Sequence, residues 1–242
     1  MEALIDMDLV LYRCAASAEE DDVGIAIYRV NELLDTILEK TKATSYRAFL
    51  SSRDNFRKKI YPEYKANRTA ERPKHLEALQ HYALSELHAE LAPDTLEADD
   101  AMGIYQDKVG NETVIVSLDK DMLMIPGLHY QWAFGTSKWQ KDEKYIEQSE
   151  LGGLRLFYEQ CLKGDKADNV KGIEGIGDVK ARKALEYCET EKEMFDIVRQ
   201  RYSNDEEFKM NAQCLWILRD IDDTFLNRFK ELDTDDDASI QE

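Results

Sequence analysis

The residues whose types and spacing suggest chemistry are carboxylates. They recur in four short sets: Asp6 with Asp8; Glu97, Asp99 and Asp100; Asp119 and Asp121; and Asp165 and Asp168. Leaving Asp8 aside, eight converging carboxylates cannot all stay ionised unaided, because like charges raise one another's pKa. A hard divalent cation resolves that conflict. Mg²⁺ takes oxygen ligands, keeps several waters and is usually shared with substrate phosphates. Two such ions roughly 3.5–4 Å apart make a phosphodiester-hydrolysing arrangement, one activating water and the other steadying the leaving oxygen. For any single pair the plain alternative is a solvated helix end or an N-cap, since fifty acids make chance pairs common. Four sets in one chain, each at the end of an expected element, favour the metal. The four histidines, His75, His81, His88 and His129, match no ligand spacing and carry no assigned chemistry.

Two further stretches suit a polyanion. Arg53–Lys74 holds eight bases against three acids, in a chain whose net charge is −18. An acidic protein with one basic segment can still bind nucleic acid locally. Gly164–Leu185 reads GDKADNVKGIEGIGDVKARKAL. Gly172, Gly175 and Gly177 supply bare amides before a helix that starts near Asp178, which is an anion-site geometry, with Lys171, Lys180, Arg182 and Lys183 at hand for phosphate charge. The alternative is a simple loop between two helices. Trp132, Trp139 and Trp216 read as core or interface packing rather than base-stacking platforms.

The elements that must position these groups follow from periodicity. Ala3-Leu4-Ile5 reads as a buried strand delivering Asp6 at its end, and Thr113–Leu118 as a strand buried on both faces that delivers Asp119. Ser45–Ser51 and His129–Phe134 read as further strands. Helical spacing covers Gly24–Lys42, Pro73–Leu91 and Glu97–Val109, then Gly152–Lys163, Val179–Cys188, Glu191–Tyr202 and Glu206–Arg219. The expected fold is therefore α/β, followed by an all-helical C-terminal part. The 242 residues, 43% hydrophobic with 11 Gly and 4 Pro, exclude collagen-like, Pro-rich and wholly disordered classes. No apolar run reaches membrane-span length, and the first residues reach acids too early for a signal peptide. The four cysteines are scattered without a CxxC, so reduced, mostly buried thiols are expected. The tail Glu231–Glu242, with six acids and no base, reads as disordered.

These stretches together resemble the 5′-nuclease family: the flap endonucleases, the 5′-nuclease domain of bacterial DNA polymerase I and the phage 5′→3′ exonucleases. LIDMD at Leu4–Asp8 is similar to the family's first metal-binding strand. FRKKIYPEYKANR at Phe56–Arg68 is similar to the basic motif at the base of its helical arch. EADDAMG at Glu97–Gly103 and SLDKDM at Ser117–Met122 are similar to its central acidic motifs. GDKADNVKGIEGIG at Gly164–Gly177 is similar to its last acidic pair running into a helix-hairpin-helix.

The resemblance implies a mainly parallel sheet with helices on both faces (a PIN-like core) over 1–150, with a short arch at about 57–92, a helical region carrying the helix-hairpin-helix over 151–230, and the tail 231–242. It implies Asp6, Glu97, Asp99, Asp100 and Asp119 around a first Mg²⁺, and Asp121, Asp165 and Asp168 around a second, with Mn²⁺ able to substitute. It gives Tyr64 a base to stack on and sets Lys65 and Arg68 against the scissile phosphate. Arg57, Lys58, Lys171, Gly172, Gly175, Gly177, Lys180 and Lys183 become DNA contacts, with K⁺ at the hairpin. The implied substrate is DNA with 5′ ends, nicks, gaps or flaps, or RNA–DNA hybrid, for a cytoplasmic monomer (host cytoplasm for a phage protein).

One departure stands out. The family places an Asp on the second strand, and here Leu50, Ser51 or Ser52 falls there, so that Asp54 swings in, the site works with one fewer acid, or activity is altered; Asp8 reads as an extra acid or, equally, as a helix N-cap. That departure motivates a competing reading, a DNA-end-binding module with impaired catalysis. The retained eight acids favour the enzyme.

Overall fold

β1 (Glu2–Asp6) buries Ala3, Leu4 and Ile5 completely, so the centre of the sheet needs cover on both faces. The structure is a computed structural model and describes residues 1–136 and 139–238. After β1 come α1 (Met7–Ser17), α2 (Val23–Thr41), β2 (Ser45–Leu50), α3 (Phe56–Ile60), α4 (Leu76–Ser85), β3 (Glu90–Leu91), α5 (Ala98–Val109), β4 (Thr113–Val116), β5 (Gly127–Gln131), β6 (Phe134–Thr136), β7 (Trp139–Lys141) and β8 (Lys144–Gln148). The chain divides into two units, Met1–Asn55 with Ala70–Gln148, and Phe56–Thr69 with Ser149–Glu242. α3 and the rest of the basic segment to Thr69 thus group with the second unit.

In the first unit the sheet order is β3-β2-β1-β4-β5-β8, parallel throughout except for β8, which runs antiparallel to β5. Side-chain alternation explains the layers. Ala3, Ile5, Ala48, Leu50, Val114 and Val116 share one core with Val10, Leu11, Val30, Leu34, Ile37 and Leu79 from α1, α2 and α4. The alternate residues Leu4, Phe49 and Ile115 are also buried, and α5 packs on β1, β2 and β4, with Tyr105 against Phe49. Thr113–Val116 is buried at every position, as expected of a central parallel strand.

The second unit is mainly helical: α3, α6 (Glu150–Lys163), the short pair β9 (Gly164–Asp165) and β10 (Val170–Lys171), then α7 (Asp178–Leu185), α8 (Glu191–Arg199), α9 (Asp205–Leu215) and α10 (Phe225–Ala238). Its core is aromatic. Phe157 meets Trp216 at 4.8 Å edge-on, and Phe195, Phe208, Phe225 and Phe229 interlock from α8, α9 and α10. α8 opens with a capping box, Thr190 with Glu193.

Several boundaries differ from the periodicity. The Pro73–Leu91 segment is helical only over α4, because β3 pairs with β2 beyond it. α10 continues through Ala238 where a disordered tail was expected. Phe225 and Phe229 bury one side of it, and Asp233 pairs with Arg199. Residues 239–242 of that tail lie outside the described residues. Among the described residues no helix is long and apolar enough to cross a membrane, and Cys14, Cys161, Cys188 and Cys214 are unbridged and buried.

Candidate metal centre and phosphate-binding residues

In the first unit Asp6 and Asp119 meet where β1 and β4 end side by side. There the chain runs from β1 to β2 on one side and from β4 to β5 on the other, and ligands of open parallel sheets bind at such a switch point. Asp6 ends β1 and at once caps α1, its Oδ1 accepting the Leu9 amide at 3.1 Å. Its Oδ2 accepts the Ser117 hydroxyl at 2.8 Å, and Ser117 Oγ in turn accepts the Asp119 amide at 3.0 Å. Asp119 Oδ1 accepts the Asp121 amide at 2.9 Å. One hydroxyl thus ties together two acidic sets separated by more than a hundred residues.

Burial pushes the Asp6 carboxyl up to about 7, with the Asp8 and Asp119 charges adding to the rise and the Leu9 and Ser117 hydrogen bonds opposing it. At the head of α5, Glu97 and Asp100 form a reciprocal capping box; Asp100 is fully buried and accepts the Glu97 amide at 3.1 Å, and Asp99 is half-buried. The N-cap of α1 is Asp6, not Asp8. The strand runs into the helix without a loop, so the residue that closes one also caps the other. Asp8 Oδ2 instead accepts the Ser51 amide at 2.8 Å, and Ser51 Oγ accepts the Ala98 amide at 3.0 Å. Asp8 is therefore the acid at the end of β2, while Asp54 is exposed.

In the second unit Asp165 is buried at the end of β9, its Oδ1 accepting the amides of Ala167 (2.7 Å) and Asp168 (3.2 Å). Asp168 meets the basic segment: Oδ2 accepts the Tyr64 hydroxyl at 2.8 Å and lies 3.7 Å from Lys65 Nζ, and Oδ1 accepts Arg68 Nη2 at 2.8 Å. Among the described residues no three His, Cys, Asp or Glu side chains form a group able to hold a metal ion. Asp8 and Asp119 stand near enough to Asp6 for their charges to act on it.

Two sequence expectations change, and one glycine gains a packing reason. Arg57, expected on DNA, is only 2% exposed; its Nε and Nη2 donate to the carbonyls of Cys214 (3.0 Å) and Trp216 (2.5 Å), so it anchors the basic segment to the C-terminal end of α9. Tyr64 is 2% exposed, so its ring is packed rather than presented for stacking. Gly172 is required by packing: a Cβ there would stand 2.1 Å from the Lys163 carbonyl carbon and 2.2 Å from the Gly164 amide nitrogen. Gly175, with φ +77°, and Gly177, the N-cap of α7, have open space about them, and Lys58, Lys171, Lys180 and Lys183 are exposed. Trp132 and Trp216 are buried as expected, but Trp139 is 52% exposed, since β6 and β7 form a separate two-stranded ribbon.

Residues 3–150 match the family described as 5′-3′ exonuclease, N-terminal resolvase-like domain. The chain belongs to the 5′-3′ exonuclease family. Among curated relatives, it is 30% identical over 190 residues to the 5′-3′ exonuclease of Buchnera aphidicola (subsp. Schizaphis graminum), covering 72% of this chain and 66% of that one. It is 30% identical over 201 residues to the DNA polymerase I of Bacillus caldotenax, covering 75% of this chain and 23% of that protein. The chain thus spans about a quarter of the polymerase and just under two thirds of the exonuclease. Fold likeness extends further. The phage T5 5′-exonuclease with bound zinc superposes with a TM-score of 0.59 at 15% identity over 89% of each chain. The catalytic core of Rad2 in complex with DNA superposes with a TM-score of 0.52 at 14% identity, over 87% of this chain and 70% of that one. These members of a shared fold carry the same layered sheet with a helical C-terminal part.

Proposed function

We propose that the protein is a divalent-metal-dependent 5′→3′ exonuclease hydrolysing DNA phosphodiester bonds at 5′ ends, nicks, gaps or flaps, with RNA–DNA hybrid as a further substrate. The observation that carries this reading is the Ser117 bridge between Asp6 and Asp119 at the switch point of the sheet, in a chain of this family. The donor set fits a hard cation. It is all oxygen, it lies where such sheets bind ligands, and a buried carboxylate such as Asp6 holds its charge only beside a positive partner. In the first unit Asp6, Glu97, Asp99, Asp100 and Asp119 would hold one ion, with Asp121 as a further carboxylate, and in the second unit Asp165 and Asp168 are the acids expected of a second ion; Mg²⁺ is the expected metal and Mn²⁺ a substitute. When bound, such ions supply an activated water and charge at the leaving oxygen.

The chain's own residues do the rest. Ser117 holds Asp6 and the backbone of Asp119 in register. Lys65 and Arg68 offer fixed cations to the phosphate as negative charge builds. Gly175 and Gly177 leave the entrance of α7 open to a phosphate oxygen, while Lys171, Lys180 and Lys183 neutralise the duplex backbone, with K⁺ as a further counter-charge there. Such contacts carry no base sequence, so selectivity falls on the end structure of the DNA. A cytoplasmic monomer fits this role.

A 5′-labelled nicked duplex with Mg²⁺ tests the reading. Labelled mono- or short oligonucleotides are expected. Retention of the duplex without product under Mg²⁺ and Mn²⁺ alike would refute the enzyme and leave a DNA-end-binding module. On a flap substrate, an intact flap as first product would make the enzyme an endonuclease.

A further inference from the structure

Asp168 is held as part of the basic segment. Both of its carboxylate oxygens are engaged there, by the Tyr64 hydroxyl and Lys65 on one and by Arg68 on the other. The backbone repeats the clasp. The Lys65 amide, in a left-handed residue (φ 56°), donates to the Asp168 carbonyl at 2.9 Å. Asn67 Nδ2 donates to the Lys166 carbonyl at 2.6 Å, and Asn169 Nδ2 donates to the Glu63 carbonyl at 2.8 Å. Asp165 fixes the same loop from within by accepting the Ala167 and Asp168 amides. The side chains of Asp168 and Lys65 are each only 16% exposed, so that pair is mostly enclosed, while Arg68, 56% exposed, closes the clasp from the solvent side.

The charge balance of that clasp bears on what Asp168 does. A carboxylate already facing an ammonium and a guanidinium is a poor ligand for a divalent cation, because the three cations repel at short range. It is well suited to hold rotamer-rich Lys and Arg side chains in one place before a substrate arrives. Its two oxygens also present to Lys65 and Arg68 the forked shape that two oxygens of a phosphodiester would present. Resting on the nuclease reading above, we propose that Asp168 is a positioning residue: it orients Tyr64, Lys65 and Arg68 for the scissile phosphate and is not a ligand of the second ion.

The test uses the full chain with Asp168→Asn, which keeps the shape and removes the charge. Calorimetry with Mn²⁺ alone should show affinity within about threefold of wild type, since no ligand is lost. Turnover on a nicked duplex should fall about a hundredfold with KM little changed, as for loss of a preorganised transition-state contact. Excess Mn²⁺ should not restore it. Adding Lys65→Ala to Asp168→Asn should cost little beyond either change alone, since the two act as a unit.

An Mn²⁺ affinity weakened tenfold or more, with activity returned by excess metal, would overturn the proposal and make Asp168 a ligand. Fully additive losses would overturn it too. Should Asp168→Asn not fold, Tyr64→Phe removes only the hydroxyl bond; slower turnover at unchanged Mn²⁺ affinity supports the proposal, and unchanged turnover overturns it. A wild-type protein that cleaves no DNA would sink the parent reading; a cleaving wild type matched by the Asp168→Asn variant would sink this inference alone.

Discussion

Replacing Asp6 by asparagine should stabilise the metal-free protein while removing its response to metal. Asp6 is 5% exposed, and its carboxyl is raised from 3.8 to about 7, first by burial and then by the Asp8 and Asp119 charges. A folded-state pKa above the unfolded value means the fold prefers the protonated form. That preference contributes fully below about pH 4 and is lost as pH rises through 7. The gap between 3.8 and about 7 corresponds to about 4 kcal/mol of stability forfeited at pH 8 relative to a neutral side chain. The introduced carboxamide keeps an oxygen for the Leu9 amide and offers its NH₂ to Ser117 Oγ, which reverses the direction of the second bond. At roughly 2–4 °C per kcal/mol for a chain of this size, Asp6→Asn should melt on the order of 10 °C higher at pH 8 in EDTA and close to wild type at pH 4. Thermal unfolding of both proteins at both pH values is the assay. Mn²⁺ at pH 8 should then raise the wild-type midpoint and leave the variant's in place, because only a species bound by the folded state stabilises it. If Asp6→Asn lowers the midpoint equally at both pH values, Asp6 is an ordinary cap and the reasoning from burial fails.

Other outcomes follow from named contacts. Asp119→Asn with Asp121→Asn should abolish cleavage of a nicked duplex while leaving duplex affinity equal or tighter, since two negative charges leave; anisotropy showing lost binding with the fold intact would count against the metal reading. Lys65→Ala should slow turnover by more than it weakens affinity, and equal losses in both would reduce Lys65 to a tether. Arg57→Met should lower stability by about 3 kcal/mol by orphaning the Cys214 and Trp216 carbonyls, seen as a lower urea midpoint, with DNA affinity per folded molecule unchanged. Gly172→Ala should unfold the protein in denaturant well before Gly175→Ala does. The former drives a Cβ into backbone at 2.1 Å, whereas the latter meets open space and carries only the left-handed cost of about 1–2 kcal/mol.

The parts of the fold that the sequence displays are those with continuous local patterns. The run Thr113–Val116 and the strand before Asp6 are β-branched or apolar at every position, so the strands and the acids at their ends could be placed without knowing their neighbours. Helix α2 shows its buried stripe at Ala26, Val30, Leu34 and Ile37. What stayed hidden depends on partners distant in the chain. β3 is two residues long and exists because β2 offers it an edge, and the β6–β7 ribbon that leaves Trp139 exposed has too little alternation to announce itself. Arg57 carries the same charge as Lys58 beside it, yet one is sealed against the carbonyls at the C-terminal end of α9 and the other is in solvent; composition cannot separate them. Gly172 sits among glycines that suit an anion, but its own need is the backbone of Lys163 and Gly164. Asp168, spaced from Asp165 like a ligand pair, takes its partners from a segment a hundred residues earlier. The Ser117 bridge has only a local signal, a serine two residues before Asp119 at the end of a buried strand.

The most direct test is anomalous diffraction from crystals grown with Mn²⁺ and a nicked duplex. The account predicts strong manganese peaks against the carboxylates of Asp6 and Asp119, with the nick phosphate beside them. Manganese found only at scattered surface acids, with Asp6 and Asp119 bare and the DNA end seated elsewhere, would contradict it.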